Sequence, residues 1–275
     1  MNNNELMVSG SDSDVLAAMR GQNTKREGVF IPSLRMAGSG GYKKEGVTVV
    51  EEGVYYTTVK NDAGEYDIVE FGKEINGTIL SFTQRYEYYD NDDKVFPVKT
   101  SEVPSNADSF AEIIVYEEGS TPVKMTLGDF RQWRKENHLG MKDKPLIKII
   151  YAIYIKIEDK VYRFDRRLSS VLGQQKDGSY DFGKPIKGSL HHFLNSISGQ
   201  ASLEYTVDIS SEIVPGGITY LRSTFTKSDE LSDEDKVANA GLWRDAYSAI
   251  VAMESAKLSK KAEKVDEVSL EDTPF

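Results

Sequence analysis

The stretch Leu146–Ile157, LIKIIYAIYIKI, is the most apolar in the chain, and its period decides the fold class. Its odd positions are Ile147, Ile149, Tyr151, Ile153, Ile155 and Ile157, an unbroken apolar series at every second residue. That spacing places one side of a β-strand on a core. The even positions include Lys148, Tyr154 and Lys156, so cations and an aromatic are expected to share the opposite, free face. With two lysines in twelve residues, the stretch is too short and too charged to span a bilayer, and no membrane partner is expected.

Working outward, Glu158-Asp159-Lys160 turns this strand into another, Val161–Leu168. Upstream, Val47–Val50 and Val54–Lys60 are β-branched and aromatic around Gly53. Tyr66–Phe71 follows the turn Asn61–Gly64, and Asn76-Gly77 opens a long strand, Thr78–Tyr89. Glu112–Tyr116, Leu203–Ile209 and Ile218–Thr226 complete the set. Helical patches interrupt it at Leu127–Glu136 and Ser189–Ile197. Short strands in this number, broken by one or two helices, predict a mainly β body over residues 29–228. The expected form is an OB-fold-like five-stranded barrel with insertions.

The flanks differ. Residues 1–28 are polar and rich in Gly, Ser and Asn, which predicts a disordered arm. Ser232 followed by Asp233, Glu234 and Asp235 is a helix start. Apolar residues then recur at Val237, Trp243, Tyr247, Ile250 and Val251, so residues 229–262 are expected to carry one helix docked through Trp243 and Tyr247. Residues 263–275 form an acidic tail expected to be disordered.

The chain has 275 residues, no cysteine and a formal charge of −10. The cysteine count excludes a disulfide framework and thiolate metal sites. No basic region or apolar run marks the N-terminus as a signal peptide, and a cytoplasmic protein is expected. Residues 229–275 hold 12 acids and 6 bases, leaving the rest at net −4. A nucleic-acid site on such a body has to be a local patch. The candidates are Lys148, Tyr154 and Lys156, then Tyr162, Arg163, Arg166 and Arg167 on the next strand. Arg85, Tyr86 and Tyr88 on the long early strand, with Tyr220 and Arg222 near the end, complete them. Aromatic faces stack on bases whatever their sequence, and cations neutralise phosphates, so interleaving the two suits a single strand.

The last ten residues, DEVSLEDTPF, hold Asp266, Glu267, Glu271 and Asp272 with no base, and finish on Thr273-Pro274-Phe275. An apolar pocket on a partner can take the Phe275 ring, with a basic rim holding the acids and Pro274 restricting the chain before the anchor. This tail resembles the acidic tip of bacterial and phage single-stranded DNA-binding proteins, which closes on Asp-x-Pro-Phe. Asp272, Pro274 and Phe275 carry the match. The resemblance implies a phage- or plasmid-type protein that coats single-stranded DNA without marked sequence preference, in replication, recombination or repair. It also implies that Asp266, Glu267, Glu271, Asp272, Pro274 and Phe275 recruit a helicase, polymerase, primase or exonuclease. The body is much longer than that of ordinary members, and no DNA-contact residue is carried over from them.

No cofactor, metal or catalytic residue is expected. Gly178–Lys184 has phosphate-loop spacing, but Pro185 replaces the hydroxyl residue that binds Mg²⁺. His138, His191 and His192 lack zinc spacing. Asp90, Asp92 and Asp93 read as a solvated turn. Two alternatives stay open: a recombination accessory or strand-annealing protein, and a Mg²⁺-dependent DNA-processing enzyme using those three aspartates.

Overall fold

The computed structural model describes residues 31–90, 95–105, 107–117, 120–137, 148–167, 183–196, 201–214, 220–248 and 250–251. The described chain begins with β1 (Ser33–Met36) and a hairpin of β2 (Tyr42–Lys44) and β3 (Val47–Val50). Glu45 and Gly46 at that tip both take positive φ, 53° and 85°, the paired left-handed conformation that a two-residue hairpin turn requires. A second hairpin, β4 (Tyr55–Lys60) and β5 (Tyr66–Gly72), leads into the 17-residue β6 (Glu74–Asp90). Then come β7 (Val95–Thr100), β8 (Val103–Pro104), β9 (Glu112–Glu117) and β10 (Val123–Thr126), followed by helix α1 (Leu127–Asn137). The central hairpin is β11 (Lys148–Ile157) and β12 (Lys160–Arg167). Helix α2 (Leu190–Ser196) precedes the last hairpin, β13 (Tyr205–Val214) and β14 (Tyr220–Glu230). Residues 233–248, with 250 and 251, are helical and form α3.

The body is mainly β, as expected, but its sheet is open. Among the described residues twelve strands join it, and its main path runs β10-β9-β7-β6-β11-β12-β1-β4-β5, ending at β10 and β5. This replaces the closed five-stranded barrel of the sequence reading. The cause is β6, which is long enough to serve several neighbours. Its start pairs with β13, residues from Thr78 to Glu87 pair with β11, and its far end pairs with β7. The sheet is mixed because β1 joins β12 in parallel, Ser33 opposite Arg163.

One face of this sheet is thickly covered. Leu34, Tyr55, Ile79, Ile153, Ile155 and Phe164 form a core with Phe193 of α2 and with Val207, Ile209 and Phe225 of the last hairpin. Beside it, Tyr86, Val98, Ile113 and Val115 bury Leu127 and Phe130 of α1. Ile149 packs against both cores. Each fully buried large apolar side chain contributes about 1.5–3 kcal/mol, so these two clusters hold the sheet together.

Among the described residues the opposite face is covered in part, by α3 with Ile31 and Leu203. Ser232 caps that helix, its Oγ accepting the Asp235 N–H at 3.1 Å, an interaction of about 1 kcal/mol. Trp243 lies against Tyr154 with ring centroids 4.9 Å apart, and Ile250 packs with Leu80 and Ala152. No described helix is long and apolar enough to cross a membrane.

Candidate nucleic-acid interface

Strand pairing sorts the candidate side chains by face, because residues directly opposite one another in a ladder point the same way. Lys148 stands opposite Glu87, and Ile150 stands between Arg85 and Arg167. Tyr154 stands opposite Arg163. These residues, with Asp165 and Lys156, occupy the face on which α3 docks. Tyr86, Tyr162 and Arg166 pair with Ile149, Ile155 and Tyr151 and point into the covered cores.

The free face expected for β11 therefore divides in two. Ala152 and Tyr154 are 1% and 0% exposed, sealed by Trp243 and Ile250. Beyond the helix the face opens into a cleft of ≈360 Å³ lined by Arg85, Glu87, Lys148, Ile150, Asp165, Arg166 and Arg167.

Between the sealed and open parts lies a network built on Glu102, whose side chain is 4% exposed. Its carboxylate accepts hydrogen bonds from the hydroxyls of Tyr154 and Thr83, both at 2.7 Å. It also pairs with Arg163 and, at 3.7 Å, with Arg85. Arg85 Nη2 meets Asp165 at 2.8 Å and its Nε meets Glu87 at 2.6 Å, while Arg163 Nε reaches Asp165 at 2.8 Å. Burial alone pushes the Asp165 carboxyl up, but hydrogen bonds and charge from Arg85 and Arg163 outweigh it and hold it below the usual range. Burial pushes the Tyr154 hydroxyl well up, and the neighbouring Glu102 carboxylate adds to the rise.

This arrangement corrects much of the residue list read from sequence. Tyr154, Tyr86 and Tyr162 are buried and offer no ring to a base. Tyr86 packs on Phe130 at 5.0 Å, Tyr162 on Phe71 at 5.3 Å, and Tyr88 packs against the α1 core. Arg85 and Arg163 are held in the carboxylate network, and Arg222 pairs with Glu212 at 2.9 Å on the last hairpin. Lys156 donates to Asn239 of α3 at 3.1 Å. Arg166 lies on the core side, 3.9 Å over the Phe164 ring, donating to Ser223 Oγ at 2.7 Å, with its Nε buried and unpartnered. Burial pulls its guanidinium down to about 10, so it is still charged at neutral pH. Two residues of the list remain exposed on the open part: Lys148 and Arg167.

Other expectations fall elsewhere. The tail residues Asp266, Glu267, Glu271, Asp272, Pro274 and Phe275 lie outside the described residues, as do the 1–28 arm, Asp92, Asp93 and most of the phosphate-loop match. Asp90 and Tyr220 are placed in strands, and nothing further is described of their side chains. The helix start at Ser189 is satisfied internally, its Oγ taking the His192 N–H at 3.2 Å. Among the described residues, no group of three or more His, Asp or Glu side chains is placed to hold a metal ion. Glu102 was missed by the sequence reading. It sits in a polar link between two short strands, and nothing local there signals a buried carboxylate.

No family model, curated protein or solved structure matches the chain.

Proposed function

We propose that this protein binds single-stranded DNA without marked sequence preference on the open part of the β6–β11–β12 face. Residues 263–275 then recruit replication, recombination or repair enzymes, and the role is binding, not catalysis. The observation that carries this reading is the pair Lys148 and Arg167, exposed at an open cleft beside Arg85 and Arg163, which are held by carboxylates. Charges left unpaired on a chain of net −10 fit an anionic ligand. The acidic tail, with its Asp272, Pro274 and Phe275, supplies the second half by resemblance. A β face needs only cations and rings at its surface to hold a strand, and closure of a barrel is not required. The setting for this activity is a bacterial cytoplasm or a phage-infected cell.

Fluorescence anisotropy with a labelled dT oligonucleotide, a duplex of equal length and a salt titration tests the reading. Tight, salt-sensitive binding to the single strand and little to the duplex is expected. Replacing Lys148 and Arg167 together by Gln should lower the salt slope by about 1.4, the value for two lost phosphate contacts on a single strand. Absence of binding by the unaltered protein would overturn the proposal.

A further inference from the structure

The open face does not stop at β6. Glu87, opposite Lys148 on one side, stands opposite Lys99 of β7 on the other. Lys99 stands opposite Tyr116 of β9. Two residues along β9 from Tyr116, and so on the same face, Ile114 stands opposite Lys124 of β10. No register shift interrupts these pairings, so Lys124, Ile114, Tyr116, Lys99, Lys148 and Arg167 share one surface. Lys99, Lys124, Lys148 and Arg167 are exposed, and Tyr116 and Ile114 are half-buried. The helix α1 packs on the other side of these strands, against Val98, Ile113 and Val115.

The geometry points to a single track for the strand that crosses the sheet from Arg167 and Lys148, over β6, to Lys99, Tyr116 and Lys124, with the Tyr116 ring as a platform for a base. This inference rests on the proposed single-stranded DNA reading and assigns it residues that the sequence reading did not single out. From β12 to β10 there are five inter-strand steps of about 4.8 Å, a span of about 24 Å. That suits the low end of the roughly 4–16 nucleotides that such a platform holds. Lys99 Nζ lies 6.0 Å from the Tyr116 ring centroid, so cation and ring are already adjacent, as a phosphate and its base require.

Three acids outside the buried Glu102 share the surface: Glu87, Asp165 and Glu112. Glu87 is engaged by Arg85 at 2.6 Å and Asp165 by Arg85 and Arg163 at 2.8 Å, which leaves Glu112 as the carboxylate outside that network facing the four exposed cations. Edge protection accounts for a lysine on β10, which ends the path of described strands, but not for Lys99, whose strand has β6 and β9 on its two sides. A stacking ring in the row favours a single strand over a duplex, whose bases are already stacked.

The test uses the full chain, a labelled dT oligonucleotide and the matching duplex. Lys99→Gln with Lys124→Gln is expected to lower the salt slope by about 1.4, in addition to the loss from Lys148 and Arg167. Tyr116→Ala should weaken single-strand binding about 5- to 100-fold, with Tyr116→Phe restoring it. Lys43→Gln with Lys44→Gln on the β2–β3 hairpin is the control and should change nothing. The exposed lysines carry the test even where Tyr116→Ala unfolds the protein. If the chain binds dT and depends on Lys148 and Arg167, but the Lys99/Lys124 pair leaves affinity and slope unchanged, the track is overturned and the function stands. Equal losses from the control pair, or equal binding of the duplex with no effect at Tyr116, also overturn the track. No binding of dT at all overturns the function with it.

Discussion

Glu102→Ala removes the centre of the carboxylate network, and the geometry sets the size of the effect. The Tyr154 and Thr83 hydroxyls each lose an acceptor at 2.7 Å, and an unsatisfied buried polar group costs about 1–3 kcal/mol. Arg163 loses its closest carboxylate, and breaking a buried ion pair costs about 3–5 kcal/mol when the remaining charge is stranded. Here it is not stranded. Arg85 and Arg163 each keep Asp165 at 2.8 Å, and the Arg163 side chain is 27% exposed and reaches water. The hydroxyl losses therefore dominate, and the expected destabilisation is about 3 kcal/mol. Glu102→Gln retains an acceptor and should cost about half as much. Urea unfolding followed by tryptophan fluorescence is the assay, since Trp243 lies against Tyr154 and reports on this side of the sheet. A fall in midpoint at constant slope with urea gives the free energy directly. A loss below about 1 kcal/mol for the alanine variant would refute the view that Glu102 is the hub of this face.

Two further outcomes follow from the same surroundings. Asp165 is held below its unfolded value of about 3.9, so its contribution to stability is present above that pH and is lost as pH falls through the lower folded value. Asp165→Asn should therefore flatten the acid limb of stability below about pH 4, and an unchanged limb in urea midpoints between pH 2 and 5 would contradict the assignment. Arg166→Met replaces a buried guanidinium with an unpartnered Nε by a flexible apolar chain that fits over Phe164. Stability should stay level or rise by about 1–2 kcal/mol, whereas a loss above about 2 kcal/mol would show that the charge is needed.

The period of LIKIIYAIYIKI read correctly for its odd positions: Tyr151, Ile153, Ile155 and Ile157 are all in the core. Its even positions misled because Lys148 and Lys156 bracket Ile150, Ala152 and Tyr154, and the two flanking charges lent the whole face a polar look. An apolar run broken only at its ends is also the pattern of a strand buried on both faces. The helix that buries it was itself legible, down to the Ser232 cap and the docking role of Trp243, but not the surface it would choose. The ranges of α1 and α2 were within about two residues of those expected. The ion pairs of Arg85 and Arg163 join two strands with a link between two others, and such contacts leave no periodic trace in sequence. The same holds for the row Lys99–Tyr116–Lys124, which only the strand order assembles.

The long-range pairing of the main core has a consequence for how the chain comes into being. Tyr55 bonds Ser223 across 168 residues, and the Ser223 hydroxyl reaches Met36 across 187. At a synthesis rate of about 5–20 residues per second, the first hairpins wait roughly 8–34 seconds for the strands that roof them. During that interval the apolar sides of β4 and β6 face the ribosome's surroundings, and the β5 edge is open to pairing with another nascent chain. Folding of the large sheet is thus postponed until β13 and β14 have emerged, and a chain cut before residue 205 ends without the hairpin that closes over Tyr55, Ile79 and Phe164.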